Sequence, residues 1–207
     1  MSEVPCSMEA TGAGAASYAA RQRLSPASGW WGAALLAATE AALFGTMIAS
    51  YFYLSFRVPE WPPAGIEPPE VTLPLALTGV LLVTSVPMFL AARAVRGAGV
   101  RSAWLWILLA VVVQAGYLAA QVYLFADDLG KFTPQESAYG SIYFTLLGLH
   151  HAHVLVGILL NLWLIARLLA GLTNYRLVGV RVVALYWYFV NAMAVLVVLT
   201  QLYPSLA

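Results

Sequence analysis

Apolar and polar stretches along the chain alternate as a short polar lead followed by five long apolar runs. Residues 1–29 (MSEVPCSMEATGAGAASYAARQRLSPASG) are small, polar and broken by Gly and Pro, with no helical or strand period that would bury a face. They predict a disordered cytoplasmic tail. Apolar runs then occupy 31–56, 74–95, 102–126, 139–167 and 179–203, each long enough for the ~20 residues with which an α-helix crosses a bilayer. The predicted fold is all-α, an integral membrane bundle of five transmembrane helices over residues 30–207. Pro74 opens the second helix at a position where its missing N–H costs nothing, whereas Pro87 lies inside that helix and should kink it. Five prolines around Trp61, between Val58 and Thr72, predict a stiff, ordered cover over one end of the bundle.

Composition turns this pattern into a class. Apolar side chains make up 62% of the 207 residues and charged ones 9%, whereas soluble domains average ~45–50% and ~25%. Ten Lys+Arg and nine Asp+Glu are too few to cover a folded surface in water, so lipid must do that covering. A formal net charge of +1 supplies no basic footprint, and no nucleic-acid partner is expected. Cys6 is the sole cysteine, which excludes a disulfide framework, a dinuclear thiolate copper centre or an iron–sulfur cluster within the chain. The tail around Cys6 has no apolar stretch of the signal-peptide kind, so the chain is expected to start in the cytoplasm.

Charge position sets the expected orientation. Arg21, Arg23, Arg93, Arg96, Arg101, Arg167, Arg176 and Arg181 fall on one side of the predicted spans, and only Arg57 and Lys131 on the other. Under the positive-inside rule this puts the amino terminus inside and the carboxyl terminus outside. Glu60, Glu67, Glu70, Asp127, Asp128 and Glu136 then lie outside. Trp30, Trp31, Trp61, Trp104, Tyr139 and Tyr203 cluster near helix ends, where amphipathic rings favour the headgroup region.

In lipid, helices associate through small residues and hydrogen-bonding side chains rather than through hydrophobicity. The first helix carries Ala33, Ala37, Ala41, Gly45 and Ala49 at a spacing of four, which predicts a close backbone contact. Gln114, Tyr117 and Gln121 share a face of the third helix; His150, His153, Gly157 and Asn161 share one on the fourth; Tyr188 and Asn191 share one on the fifth. These polar positions are read as a buried network. Glu40 stands out, because a carboxylate near the bilayer centre costs at least ~3 kcal/mol. It is expected to hydrogen-bond to a polar neighbour on another helix, His153 first and Asn191 second. All three histidines of the chain, His150, His151 and His153, lie within about one turn, so they cannot clamp a haem from opposite sides. No metal site and no catalytic residue are expected.

Four pieces of sequence, in order, resemble subunit III of the haem-copper respiratory oxidases, and the cytochrome c oxidase type most closely. Thr39 and Glu40 are followed by AALFGTMIASYFYL. WPPAGIEPPEVTLPLALTGVLLVTS follows the family's W-P-P-x-G-I and L-P-L pattern. YGSIYFTLLGLHHAHVLVGILL matches Y-G-S, H-G-x-H-V and G, and YWYFVN stands against Y-W-H-F-V-D. The resemblance covers most of residues 30–207 and implies the five-helix form of the subunit. It implies a chain without haem or copper of its own, those cofactors lying in partner subunits. It further implies direct binding to subunit I, association with subunit II and other oxidase subunits, phospholipids held in a cleft, and support of proton uptake into subunit I. Nine of the ten cations are arginine, which fits a GC-rich bacterial genome, so the expected location is a bacterial inner membrane. Glu40, His150 and His153 match the family's buried acid and histidine pair. Tyr188 and Asn191 stand where His and Asp are usual, Leu124 where a Glu commonly follows the position of Gln121, and His151 where Gly is usual. The WPPAGI stretch inclines the reading to a cytochrome c oxidase, with a quinol oxidase or nitric-oxide-reductase-associated homologue as the alternative. A stand-alone proton channel or transporter is the rival from another class, against which stand the odd helix number and the lack of paired repeats.

Overall fold

The computed structural model describes residues 28–97, 100–170 and 176–206. The described part of the chain holds six helices: α1 (Ser28–Ser55), α2 (Thr72–Val83), α3 (Ser85–Gly97), α4 (Val100–Lys131), α5 (Ala138–Leu169) and α6 (Arg176–Leu206). Together they make five apolar spans, because α2 and α3 are the two halves of one (Thr72–Val95). The interruption is Thr84, whose backbone N–H turns to Leu81 O at 3.1 Å. Pro87 explains it: without an N–H it leaves the carbonyl of Val83 without its helical donor, and its ring crowds that same residue. The kink therefore falls three residues before the proline. Of the 1–29 tail, residues 1–27 lie outside the described residues, while Ser28 and Gly29 already belong to α1.

Neighbouring spans pack as an antiparallel bundle centred on α6, which touches α1, α2, α3 and α5, while α4 closes against α2, α3 and α5. A core of Leu81, Met88, Ala103, Ile107, Val154, Trp187 and Val190 fills the middle of the bundle. At the end where α1 finishes and α5 begins, Tyr51, Phe132, Tyr139, Tyr143 and Phe144 form a second, aromatic core. The proline-rich connection is pinned on this end. Trp61 lies edge-on to Tyr51 at 5.2 Å and to Tyr139 at 5.0 Å, and the Ser205 hydroxyl donates to Pro69 O at 2.6 Å. Ser137 caps α5 by accepting from the Gly140 N–H at 3.0 Å. Only glycine fits at 140, since a Cβ there would stand 2.5 Å from Thr133 O.

The first helix is the exception in this packing. Of its most apolar window 6% is buried, against 28% to 44% for the other four spans. Among the described helices it rests on α5 and α6, through Phe44, Met47 and Ile48, with Tyr51 packed under Trp61 near its end.

Candidate functional site

On α1, the buried edge is drawn by Phe44 and Tyr51, both fully covered. Glu40, one turn before Phe44, sits half-buried at the margin of that edge. Its Oε2 lies 3.2 Å from Nε2 of His153 on α5. His153 Nδ1 is 2.8 Å from the carbonyl oxygen of Leu149. A carbonyl only accepts, so Nδ1 carries a hydrogen. Nε2 then either accepts from a Glu40 carboxylic acid or, within an imidazolium, donates to a carboxylate. Both forms place one proton on the Glu40–His153 line, and both leave the pair without net charge, as lipid demands. Phe44 walls the pair edge-on, 5.1 Å from the imidazole, and Phe189 stands beside it, 6.4 Å from the imidazole and 6.5 Å from Phe44. Tyr186 fixes the backbone here by donating to His153 O at 3.1 Å.

One turn away on α5, His150 turns to α4 instead. Its Nε2 lies 3.4 Å from the Tyr117 hydroxyl, which accepts from Gln121 Nε2 at 3.3 Å. Further along the same two helices Asn161 Nδ2 donates to Gln114 Oε1 at 3.0 Å, with both side chains fully covered. Asn191 on α6 does not approach Glu40. Its Nδ2 donates to Ser85 Oγ at 2.6 Å, beside the kink of the second span.

The polar residues thus form four separate groups rather than one network. Tyr188 joins none of them: it is 38% exposed. The reason is angular. The buried stripe of α6 runs through Ala184, Trp187, Asn191 and Ala194, and each residue advances ~100° round the helix, so Tyr188 is carried past Trp187 onto the outward side.

The small-residue stripe of α1 is also split. A spacing of four overshoots a full turn by ~40°, so four such steps wrap ~160° round the helix. Ala33 and Ala37 are half-buried, whereas Ala41, Gly45 and Ala49 have turned outward and are exposed. A Cβ added at Gly45 would meet nothing within 4 Å. The close contact expected of Ala41, Gly45 and Ala49 is not made among the described residues.

Three residues of the interior escaped sequence reasoning. Trp187 Nε1 donates to Thr84 Oγ1 at 2.7 Å, so Thr84, Ser85 and Trp187 bring polar groups of two spans together at the kink. Pro87 was the available signal, since a helix that lacks a backbone donor exposes polar groups for other side chains to meet. The indole fits because position 157 is glycine; a Cβ there would lie 2.6 Å from Trp187 Cζ3. Among the described residues no three His, Cys, Asp or Glu gather into a set able to hold a metal ion.

Comparison with known proteins places these features in a wider setting. Residues 6–205 match the family model described as cytochrome c oxidase subunit III. The chain is 30% identical over 172 residues to cytochrome c oxidase subunit 3 of Bacillus subtilis (strain 168), covering 82% of this chain and 81% of that protein. It is 30% identical over 168 residues to the probable quinol oxidase subunit 3 of Staphylococcus haemolyticus (strain JCSC1435), covering 79% and 81%. Against cytochrome c oxidase subunit 3 of Thermostichus vulcanus the identity is 28% over 167 residues, covering 80% and 81%.

Proposed function

Because the chain belongs to the cytochrome c oxidase subunit III family, we propose that it serves a haem-copper oxidase as its non-catalytic third subunit, bracing subunit I within the membrane. The observation that carries this reading is the uncovered flank of α1. A helix with 6% of its apolar window buried, presenting Ala41, Gly45 and Ala49 outward, is built for a second surface to approach its backbone closely. Subunit I is the occupant we assign to that stripe. Subunit II and the other oxidase subunits join the same complex.

Phospholipid occupies the adjoining apolar flank, where Leu36 and Leu43 are exposed on the Glu40 side of α1. The Glu40–His153 pair borders that flank and holds a proton without presenting net charge to the acyl chains. In this position it supports proton uptake by the neighbouring subunit without touching a redox centre. Haem and copper reside in the partner subunits. The arginine-bearing ends of the spans face the cytoplasm of a bacterial inner membrane, and the carboxyl terminus lies outside.

Purification of the tagged chain from its own membranes in mild detergent tests the reading. The expected result is a haem-containing complex with an oxidase absorption spectrum, whose oxidation of reduced cytochrome c outpaces its oxidation of quinol. Recovery of a lone, colourless bundle that conducts protons in liposomes would overturn it.

A further inference from the structure

A cavity of about 690 Å³ enters the bundle at the acidic-loop end and runs inward as far as His150. Glu67, Glu70, Asp127, Asp128 and Lys131 stand at its mouth, and Thr78, Tyr117, Gln121 and His150 line its inner part. His150 is thirteen residues from the Ser137 cap of α5, roughly 20 Å at 1.5 Å per residue. That depth brings the floor close to the middle of the 32-residue helix, and so close to the bilayer centre.

The cavity is polar at both ends. A lipid is polar at one. Between Leu147, Val197 and Val198, an acyl chain threaded into it would lie against Tyr117, Gln121 and His150, whose bonds to one another leave further hydrogen-bonding capacity that hydrocarbon cannot serve. Two of its lining side chains still lack a partner among the described residues: His150 Nδ1, in a residue 2% exposed, and the hydroxyl of Tyr139, 1% exposed. Both atoms are closed off from the open part of the cavity, whose reachable polar groups belong to Tyr117, Gln121 and the acidic mouth; cavities that stay dry are apolar, whereas polar ones hold water. At ~30 Å³ per molecule this one has room for on the order of twenty waters.

We infer that the cavity is an aqueous vestibule, a water-binding site that carries solvent from the acidic-loop end to His150 near the middle of the membrane. Glu40 and His153 do not line it, so the solvent column stops one helical turn short of the proton-holding pair. Four acids and one lysine give the mouth a net charge of −3. Lys131 is already tied to Asp127 at 2.6 Å and to Asp128 at 3.5 Å. The mouth therefore favours cationic over anionic solutes, within the ~8 Å screening length of physiological salt. No residue of α1 lines the cavity, so it is separate from the lipid and partner surfaces proposed on that helix.

Cysteine accessibility in the assembled complex, held in lipid nanodiscs, provides the test. Cys6 is the chain's only cysteine, so Cys6→Ser gives a clean background for Leu124→Cys, Leu147→Cys and Ala194→Cys, all lining the cavity. Val122→Cys, on the same helix as Leu124 but 53% exposed on the outside of the bundle, is the control. Thiolates form and react in water. The three cavity cysteines should react with a trimethylammonium methanethiosulfonate at least about tenfold faster than the control. At low salt they should also react faster with this reagent than with the anionic sulfonate analogue, and added salt should narrow that gap. Water-radiolysis footprinting of the unmodified complex gives a second readout that needs no variant, with oxidation expected at Tyr117 and Tyr139. Cavity cysteines no faster than Val122→Cys, or Tyr117 and Tyr139 left unoxidised, would overturn the vestibule.

Discussion

Replacing Glu40 by Gln and, separately, by Leu distinguishes a hydrogen-bonded neutral pair from an ionic clasp. His153 Nδ1 keeps its hydrogen on Leu149 O at 2.8 Å, which leaves Nε2, 3.2 Å from Glu40, in need of one shared proton. A glutamine amide supplies that proton from its own NH₂ group, so Glu40→Gln retains the contact. Interhelical hydrogen bonds in membranes average ~0.6 kcal/mol, and Glu40→Gln should lose less than that. Glu40→Leu removes the contact and leaves Nε2 facing hydrocarbon, at a cost of about 1–2 kcal/mol. That corresponds to a factor of roughly 5–30 in an equilibrium. The assay is retention of the subunit on its oxidase complex across a temperature or detergent series, with turnover measured in parallel. Glu40→Gln should assemble normally and alter turnover only mildly, while Glu40→Leu should dissociate earlier. Equal loss from the two variants would refute the reasoning, since the acid itself, ionised and paired, would then be what holds α1 to α5.

Other positions yield sharp contrasts. Gly157→Ala should destabilise the bundle by about 1–3 kcal/mol, the usual cost of overpacking, because its Cβ would fall 2.6 Å from Trp187; thermal unfolding in detergent measures it. Trp187→Phe leaves both a cavity in the core and Thr84 Oγ1 without its donor, which together should cost about 1.5–3 kcal/mol in the same assay. Tyr188→Phe, on an outward side chain, should stay within about 0.5 kcal/mol of the parent, whereas Asn191→Leu, which orphans Ser85, should cost about 1–3 kcal/mol. Gly45→Leu has open space around it in this chain and should leave the chain's own unfolding unchanged. It should weaken co-purification of the partner at least about tenfold, which is ~1.4 kcal/mol.

The architecture was legible because length and apolarity decide it: five runs each long enough to span a bilayer became five spans, with ends shifted by a few residues. Pro87 announced the break in the second span, although the break itself falls at Thr84, because a proline withdraws its hydrogen bond from the residue four before it. Pairings between helices were harder to see. Nothing local says that Asn191 meets Ser85, 106 residues away, or that Asn161 meets Gln114; such contacts depend on the rotation of each helix about its axis. The same rotation carries Tyr188 outward and splits the α1 stripe. Spacing alone says which residues share a face, and the neighbouring helix decides which face is covered.

In the proposed role these 207 residues brace and solvate a redox machine while holding no electron carrier themselves. Its most direct test is the haem and copper content of the chain produced alone, in membranes lacking the other oxidase subunits, and purified without chelators. The expected preparation is colourless, with both cofactors far below one per chain. Stoichiometric haem or copper in that preparation would contradict the account.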